Sequence, residues 1–363
     1  MLNIHSIHIV RRFGTVGGME NYVFQLAKAL LRRGQSVTIV CETNECEDTD
    51  AWCEYENFRI IALGNRFSKP RWLAQWCFSR RVLAHARLYS VSGSVVWHSH
   101  ERTSIHHVTT FHGPPFLMRK RKYLDFLSPR IHMWKWLEYR ELHGVQVQAI
   151  FPNSPMIAQQ LSTLYPKVAD KIAPPVYPGV EKHFSSIKRL QDGRMVVGFL
   201  GREWRRKGLD IACSILGSLR ELLPEIHFLV AGCDPEEVDV LFQHWPKESY
   251  TLLGWIGETE EFLSKIDLLL HPARSEPFGM VVAEANAAGI PVVVSEHCGV
   301  AALIDEKQGF VCDLNAEAPD LACWVAACYQ CLVGDLTVER LALTWDGLAQ
   351  QHIALYEKVV SER

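Results

Sequence analysis

The sequence has no apolar stretch that approaches the length of a membrane span, which argues against a membrane-spanning protein. Residues 1–10 lack the pattern of a secretory signal and predict a first strand instead. The 11 cysteines are odd in number and scattered through apolar segments, which favours reduced thiols in a cytoplasmic protein. Cys328 and Cys331 have C-x-x-C spacing without a second pair or a histidine cluster. A helix interior is therefore favoured there over a metal site.

Three ligand motifs are also absent or incomplete. No recognised nucleic-acid motif accompanies the basic segments, which disfavours nucleic acid as a partner. The glycines near position 17 lack G-x-G-x-x-G spacing, and no acidic residue follows at the distance expected for a dinucleotide ribose. Asp48 and Asp50 have the D-x-D spacing of a metal motif, but no apolar strand leads into them. A solvated loop is therefore favoured at these two residues, and no metal site is predicted.

The length and the charge distribution suggest two different halves. A chain of 363 residues exceeds one typical domain and predicts two, each able to bury its own core. Residues 1–172 contain 22 Lys and Arg and 13 Asp and Glu, whereas residues 173–363 contain 16 and 28. The net charges are therefore +9 and −12. A basic first half suggests that this half meets an anionic partner.

Strands and helices alternate along both halves. Strands are predicted at 4–10 and 37–41 around a helix at 19–32, which gives a βαβ unit. The second half repeats βα units, with strands that include 195–200, 226–232, 266–270 and 292–295. The Pro- and Gly-rich residues 173–181 predict the linker. This pattern predicts an α/β protein with two doubly wound sheets, in residues 1–175 and 176–344.

The segment with the clearest chemistry is residues 276–284. An apolar strand leads into a loop with Glu276 and Gly279, and a helix starts at Met280. The free N–H groups at a helix start form an anion site, and glycine lets a ligand approach the main chain. Glu276 and Glu284 therefore bracket this helix start. They could hold two hydroxylated parts of one ligand with phosphate between them, or they could be two solvated glutamates.

A basic loop follows the first strand of the second half. Arg202, Arg205, Arg206 and Lys207 occur between a strand end and a helix start. A pyrophosphate would need such groups, because guanidinium pairs with two oxygens and ammonium acts as a point charge. The alternative is a basic solvated loop. With two cations supplied, no Mg²⁺ would be needed to neutralise a leaving nucleotide.

The first half has two further candidate regions. Gly17 and Gly18 lie where the first strand turns into the first helix, so their N–H groups could reach a ligand, although a plain tight turn is equally open. Histidines cluster at strand ends, where α/β proteins place ligands: His98, His100, Glu101 and His112. Of these, His98, His100 and Glu101 are weaker candidates for acceptor contacts.

Residues 116–123 interleave apolar and basic side chains. Phe116, Leu117 and Met118 precede Arg119-Lys-Arg-Lys. One interpretation is a patch for a membrane surface or an anionic acceptor, and the alternative is a basic solvated turn.

Several of these segments together resemble the GT-B glycosyltransferases, in particular the retaining family 4 type. The resemblance rests on Glu-Pro-Phe-Gly at 276–279, on A-x-G-x-P-V-V at 287–293, on Gly-Arg and Arg-Lys-Gly between 201 and 208, on Gly-Gly-Met-Glu at 17–20 and on Thr-Phe-His-Gly at 110–113. It implies two Rossmann-like domains facing a central cleft. It also implies that the C-terminal helix, 345–363, packs back on the first domain.

The resemblance also assigns roles. It implies that Glu276 contacts the donor sugar, that Glu284 holds the ribose hydroxyls and that His112 lies beside the reacting sugar. The diphosphate role falls to Arg202 and Lys207, with Arg206 less certain. The remaining donor-binding positions are Gly17, Gly18, Phe278, Gly279 and Met280.

Within that family, residues 206–210 and 267–273 are most like bacterial lipopolysaccharide-core glucosyltransferases. This implies transfer of glucose from UDP-glucose, with retention, to a phosphorylated lipid-linked glycan at the inner face of the cell membrane, without a cofactor. Two rivals stay open. One is another enzyme on the same fold, such as a sugar-nucleotide epimerase or a glycogen-type synthase. The other is a sugar-nucleotide-binding protein without activity.

Overall fold

The computed structural model describes residues 4–15, 17–46, 52, 54–65, 67–88, 94–119, 123–187, 193–314, 320–334 and 336–363. The chain divides into two compact units. Unit 1 comprises Met1–Gly179 and Trp345–Arg363, and unit 2 comprises Val180–Thr344. The sequence placed the division at 175/176 and 344/345, within a few residues of these points.

The elements are named here in chain order within the described residues. The first segment of unit 1 contains β1 His5–Phe13, α1 Gly18–Arg32, β2 Ser36–Asn44, β3 Phe58–Ala62, α2 Arg71–Leu88, β4 Val95–Ser99, β5 Val108–Phe111, α3 Pro129–His143, β6 Ala149–Pro152 and α4 Pro155–Leu164. Unit 2 contains β7 Val196–Leu200, α5 Trp204–Lys207, α6 Leu209–Leu222, β8 His227–Ala231, α7 Pro235–Val238, β9 Tyr250–Leu252, α8 Thr259–Leu263, β10 Leu268–His271, α9 Met280–Ala287, β11 Val292–Ser295, β12 Gly309–Cys312 and α10 Leu321–Val333. The last helix, α11 Trp345–Ser361, returns to unit 1.

Both units contain a six-stranded parallel sheet of the same topology. The strand order is β3-β2-β1-β4-β5-β6 in unit 1 and β12-β11-β10-β7-β8-β9 in unit 2. Each order reverses at one point, between β1 and β4 in unit 1 and between β7 and β10 in unit 2. Open parallel sheets bind ligands at the carboxyl ends of the strands beside this point. The predicted fold class, two Rossmann-like doubly wound domains, is confirmed.

The helix α11 completes unit 1. Its N-terminal turn is fixed by Arg33, which donates to both carboxylate oxygens of Asp346 at 2.7 and 2.6 Å. Leu348, Ile353 and Tyr356 are buried in the same core as α1. The apolar face of α11 therefore forms part of the core of unit 1, although the helix lies far along the chain from the sheet.

The core of unit 2 contains the C-x-x-C segment. Cys328 and Cys331 lie on α10, and both side chains are buried against the sheet. Asp320 caps the helix by accepting hydrogen bonds from Ala322 N and Cys323 N at 3.1 and 3.3 Å. No helix in the described part of the chain is both long enough and apolar enough to span a membrane.

Candidate functional site

Glu276 lies in the loop between β10 and α9, at the carboxyl end of the sheet of unit 2. The loop is fixed through its backbone, because Glu276 N donates to the His297 carbonyl at 2.9 Å and Gly299 N donates to the Glu276 carbonyl at 2.8 Å. Both partners follow β11, which is the neighbouring strand in the sheet. The position of the Glu276 side chain is therefore set by two adjacent strand ends.

Gly279 makes the turn into α9 possible. Its φ is +103°, in the left-handed region that favours glycine, and an added Cβ would lie 2.5 Å from the Cys298 sulfur. Met280 is the first residue of α9, so the N–H groups of the helix start follow directly. Phe278 is buried, and its carbonyl accepts from Val300 N at 2.7 Å. Phe278 therefore supports the loop from inside the core.

The basic loop after β7 is fastened to the loop after β10. Gly208 has φ +79°, and a Cβ there would overlap the carbonyl oxygen of Pro272. Arg274 donates to both carboxylate oxygens of Asp210 at 2.8 and 2.7 Å, and Arg274 N donates to the Arg206 carbonyl at 2.8 Å. These contacts hold the end of the short helix α5 against the residues that precede Glu276.

As a result, Glu276 lies among cations. One of its carboxylate oxygens is 3.2 Å from Arg206 Nη1 and 3.4 Å from Lys207 Nζ. Arg206 is also paired with Glu203 at 2.7 Å. The predicted cations Arg206 and Lys207 and the predicted sugar contact Glu276 are thus brought together. The negative charge of Glu276 is therefore compensated by these two cations.

The other two arginines of the predicted cluster point elsewhere. The Arg202 guanidinium stacks on Trp255 at 4.9 Å, and that of Arg205 stacks on Trp204 at 4.7 Å. Both arginines are exposed. The expectation that four cations converge is therefore wrong for the side chains as they lie here, since stacking on tryptophan directs two of them away from Glu276. The diphosphate role of Arg202 stays a prediction that requires its side chain to move.

Glu284 lies on α9, one turn beyond the helix start. Its side chain is half-buried and forms no hydrogen bond or ion pair with the described residues. Burial raises the pKa of Glu284 to about 7, nearby Glu260 raises it further, and Lys207 lowers it. A half-buried carboxyl group without a partner is suited to hydroxyl groups of a ligand. The ribose role stays a prediction.

His271 is a polar residue of this site to which the sequence analysis gave no role. It ends β10, is fully buried and has no hydrogen-bond partner for either ring nitrogen among the described residues. Its Nε2 lies 3.9 Å from Glu276. Burial lowers the pKa of His271 well below its usual range, and Lys207 and Arg206 lower it further. The sequence signal that could have identified His271 is its position directly at the end of an apolar strand.

The candidate residues of unit 1 begin at the N-terminus of α1. Gly17 is the N-cap in an extended conformation, and Gly18 is the first helical residue. A Cβ on Gly18 would meet no atom, whereas one on Gly17 would meet the carboxylate of Glu20. Glu20 is in turn paired with Arg12 at 2.8 Å. An anionic side chain therefore lies at this helix start.

Three histidines form a hydrogen-bonded row that begins at Ser6. His8 Nε2 lies 3.1 Å from Ser6 Oγ, and His8 Nδ1 lies 3.0 Å from His100 Nε2. His100 Nδ1 then lies 2.9 Å from His112 Nε2. We call Ser6, His8, His100 and His112 the histidine row. It runs from the interior of the sheet to the end of β5, where His112 was predicted to meet the reacting sugar.

His98 is not available for the acceptor contact that the sequence predicted. It is fully buried, and its Nδ1 and Nε2 lie 2.5 Å from Tyr356 Oη and 2.7 Å from Thr110 Oγ1. The prediction for His98 is therefore wrong, because both nitrogens already have partners in the core. His100 and Glu101 remain candidates, since both line a cavity beside His112.

The buried histidines of unit 1 are neutral. Burial lowers the pKa of His8 and of His112 to about 3, and those of His98 and His100 fall well below their usual range. His8, His98 and His100 have ring nitrogens within 4.8 Å of one another, as metal ligands would. However, all their ring nitrogens already have hydrogen-bond partners. This trio is therefore a satisfied polar network.

Asp48 and Asp50 lie outside the described residues.

Part of the predicted basic patch can be placed. Arg119 is paired with Asp125 at 2.6 Å and lies over the Phe116 ring at 5.6 Å. Lys120, Arg121 and Lys122 lie outside the described residues. Large apolar side chains are exposed on both sides of this run, at Met118, Tyr123, Phe126 and Leu127.

Comparison with known proteins shows the family. The model of "Glycosyltransferase Family 4" matches residues 16–183, and that of "Glycosyl transferases group 1" matches residues 181–325. The chain is 25% identical to D-inositol 3-phosphate glycosyltransferase of Stackebrandtia nassauensis over 96% of this chain and 88% of that one. It is 33% identical to lipopolysaccharide glucosyltransferase WaaG of Escherichia coli over 112 residues, 30% of each chain.

Solved structures show the same architecture. A crystal structure of WaaG superposes with a TM-score of 0.72 at 18% identity, over 98% of both chains. HepE of Anabaena in complex with UDP-glucose superposes with a TM-score of 0.62 at 17% identity, over 99% of this chain and 98% of that one. The chain belongs to the group 1 glycosyltransferases of GT-B fold.

Proposed function

We propose that the protein transfers a hexose, with retention, from a nucleotide diphosphate to a hydroxyl group of a cell-envelope glycan, with UDP-glucose as the donor. The observation that carries the donor part is the cluster of Glu276, Arg206 and Lys207 beside the N-terminus of α9. The UDP-glucose complex of HepE, a structural neighbour, supports the same donor class. The similarity to WaaG supports the lipopolysaccharide core as the acceptor.

The cluster suggests how the donor exchanges partners. Arg206 and Lys207 are paired with Glu276 in the structure. A diphosphate offers these two cations stronger, charge-assisted hydrogen bonds. The Glu276 carboxylate would then be free to accept from hydroxyl groups of the sugar. Glu284 would accept from the ribose, and the donor-binding N–H groups would come from Gly279 and Met280.

Catalysis would depend mainly on charge. Negative charge grows on the leaving diphosphate in the transition state, and fixed cations that meet it there provide the largest kind of catalytic stabilisation. Arg206 and Lys207 would take this role, with Arg202 if it leaves Trp255. His112 would lie near the reacting sugar as a neutral imidazole, because burial lowers its pKa to about 3. No residue is assigned here as a nucleophile.

The donor site is tested by Lys207→Ala. We expect UDP to bind about 10- to 100-fold more weakly, since one hydrogen bond to a charged group contributes about 1.5–3 kcal/mol. The protein should stay folded, because Lys207 is paired with Glu276 and is not part of the hydrophobic core of unit 2. Isothermal titration with UDP, after a thermal-shift screen of UDP, GDP and ADP sugars, measures this.

The matched control is Lys265→Ala, which removes a lysine paired with Glu261 at the surface of unit 2. It should leave UDP affinity unchanged. Wild-type affinity for UDP in a folded Lys207→Ala protein would refute the assignment. Slow release of UDP from UDP-glucose without an acceptor distinguishes a transferase from a protein that only binds sugar nucleotides.

We also propose that the reaction needs no metal ion. The support is that Arg206 and Lys207 supply two positive charges next to the helix start. Turnover should therefore persist in EDTA. If EDTA abolished activity and Mn²⁺ restored it, Asp48 and Asp50 would return as candidate ligands. The assay is release of UDP with and without chelator.

A further inference from the structure

A cavity of about 340 Å³ lies beside His112 in unit 1. We call it the His112 cavity. Its walls come from the residues that follow β4 and β5 and from α3, and they include His100, Glu101, Arg102 and Glu141. It therefore opens at the carboxyl ends of the strands, where parallel sheets bind ligands. Its volume lies within the range of roughly 300–1,000 Å³ that small-molecule sites occupy.

The ionisable groups among the described residues that line this cavity are mainly acidic. Glu101 and Glu141 contribute two carboxyl groups, and Arg102 is the cation among the described residues that line it. Arg102 is already engaged, because it donates to the fully buried Glu138 at 2.8 Å and stacks on Trp134 at 5.2 Å. A phosphate group entering the cavity would thus face two carboxyl groups and, in the described wall, one guanidinium whose Nη2 is already bound to Glu138.

Glu138 fixes Arg102 firmly in this arrangement. The Glu138 carboxylate accepts from the Phe116 backbone N–H at 2.9 and 2.7 Å and from the Tyr165 hydroxyl at 2.6 Å. Removing Arg102 from Glu138 would leave a buried charge without its main counter-ion, which is costly. Arg102 therefore stays with Glu138 when a ligand enters.

Two buried polar atoms of the wall have no hydrogen-bond partner among the described residues. They are Oε2 of Glu141 and Nε of Arg102, and they lie 3.9 Å apart, too far for a direct bond. Glu141 is only 3% exposed, and its other oxygen accepts from Thr109 at 2.8 Å. One atom can accept and the other can donate. A hydroxyl group is complementary to both, because it donates and accepts.

We propose that the His112 cavity receives the acceptor through an uncharged, hydroxyl-bearing sugar ring and rejects a ring that carries a phosphate. This inference rests on the proposed glycosyl transfer and specifies its acceptor. Burial raises the pKa of Glu141 to about 8 and that of Glu101 to about 7, so near neutral pH each can donate from its protonated form to a hydroxyl group, whereas at higher pH both are carboxylates that repel a phosphate. A relative acts on an inositol phosphate. Here, any phosphate on the acceptor would have to lie outside this cavity.

The test compares matched acceptors with UDP-glucose as donor: methyl α-D-glucoside and methyl α-D-mannoside, each with its 6-phosphate. We expect kcat/KM, followed as UDP release above the rate without acceptor, to be at least 10-fold higher for the uncharged member of a pair. The assays are run at pH 9, where both groups are carboxylates, so the double variant Glu101→Gln, Glu141→Gln removes both charges and keeps the shapes. It should bring the ratio towards one by improving use of the phosphate.

The control variant is Glu56→Gln, which changes an exposed carboxylate of unit 1 and should leave the ratio unchanged. Equal or better use of the phosphorylated member, or use of neither, would overturn the inference. Because the ratio compares two acceptors on one protein, partial unfolding of a variant does not change it. Donor hydrolysis reports separately on the proposed function, which fails if the wild type neither binds UDP nor hydrolyses UDP-glucose.

Discussion

At the residue scale, the candidate donor site depends on positions where only glycine fits. Gly208 joins α5 to α6 with φ +79°, and its missing side chain lets the carbonyl of Pro272 approach. Lys207 and Arg206 directly precede it. The distance from these cations to Glu276 is therefore determined by the contact between two loops. The charged side chains would bind the ligand, and the absence of a side chain at Gly208 sets the distance between the cations and Glu276.

The substitution Gly208→Ala tests this contact. The added methyl group would clash with backbone, and the left-handed conformation would be strained, so we expect a loss of about 1–3 kcal/mol of stability. UDP affinity should fall as well, since Lys207 would move. Urea denaturation and titration with UDP measure the two effects.

The matched control is Gly217→Ala, an exposed position in α6 where a Cβ would meet no atom. It should stabilise the protein by roughly 0.5–1 kcal/mol, because alanine favours helix. Equal effects of the two substitutions would show that the loop contact at Gly208 has no special role.

Single residues also show what the sequence could predict. Glu276 and Glu284 were identified because the strand, the glycine turn and the helix start are contiguous in the chain. The convergence of Arg206 and Lys207 on Glu276 followed from β7 and β10 being neighbours at a strand reversal. The stacking of Arg202 on Trp255 could not be predicted, because a local basic run does not indicate which side chains have an aromatic ring within reach.

At the element scale, the strands and most helices follow from local patterns, but the histidine row does not. His8 lies on β1, and His98 is its partner residue on β4, separated by 90 positions in the chain. Only the parallel register brings these strands together. The burial of His98 likewise depends on Tyr356, which α11 supplies. Local sequence patterns predicted the strands and most helices. Which histidines are buried depends on strand register and on long-range packing, which local patterns do not show.

The buried histidines predict a stability that falls in acid. Their pKa values lie below 6.5 in the folded protein, with His8 and His112 at about 3 and His352 at about 4. Between pH 6.5 and 4 the unfolded chain therefore binds more protons, and each extra proton lowers the free energy of unfolding by about 1.4 kcal/mol per pH unit. The raised pKa values of Glu101, Glu141 and Glu284 act in the opposite direction. The histidines outnumber these groups, so stability should decrease as pH falls below 6.5.

Urea denaturation at pH 7, 6 and 5 measures the slope of stability against pH. In His8→Gln the slope of the unfolding free energy against pH should decrease by about 1.4 kcal/mol per pH unit, which corresponds to one proton. This change does not depend on the stability of the variant at pH 7. His244→Asn, at an exposed position, should leave the slope unchanged. Equal stability of the wild-type protein at pH 7 and pH 5 would contradict the conclusion that the histidine row is buried and neutral.

At the scale of the whole molecule, charge is divided unequally between the two halves. Residues 1–172 have an excess of basic groups, but among the described residues that line the His112 cavity carboxyl groups outnumber cations. Several of its arginines are already paired, for example Arg11 and Arg81 with Glu42 at 2.6 Å. We propose that the remaining basic residues, with the exposed Phe126 and Leu127, meet an anionic membrane surface.

Changing residues 119–122 to serine should reduce binding to anionic vesicles, because each cation near such a surface contributes about 1 kcal/mol. Donor hydrolysis should persist, since the donor cluster lies in unit 2. Vesicle co-sedimentation at low and high salt gives the measurement. The control changes four exposed basic residues elsewhere in unit 1 to serine: Arg59, Lys69, Arg71 and Lys167. Equal loss in both variants would indicate an effect of net charge, and no loss in low salt would indicate a solvated turn.

The return of α11 to unit 1 has a consequence for the order in which the protein is made. Unit 2 is contiguous, so its described strands and helices are all translated before α11. The sheet of unit 1 is translated before α11. Until α11 is made, His98 lacks its partner Tyr356, and Tyr22 lacks its partner His352. Domains generally fold as units during synthesis. The sheet of unit 1 is therefore translated first, but its core is completed only when α11 becomes available.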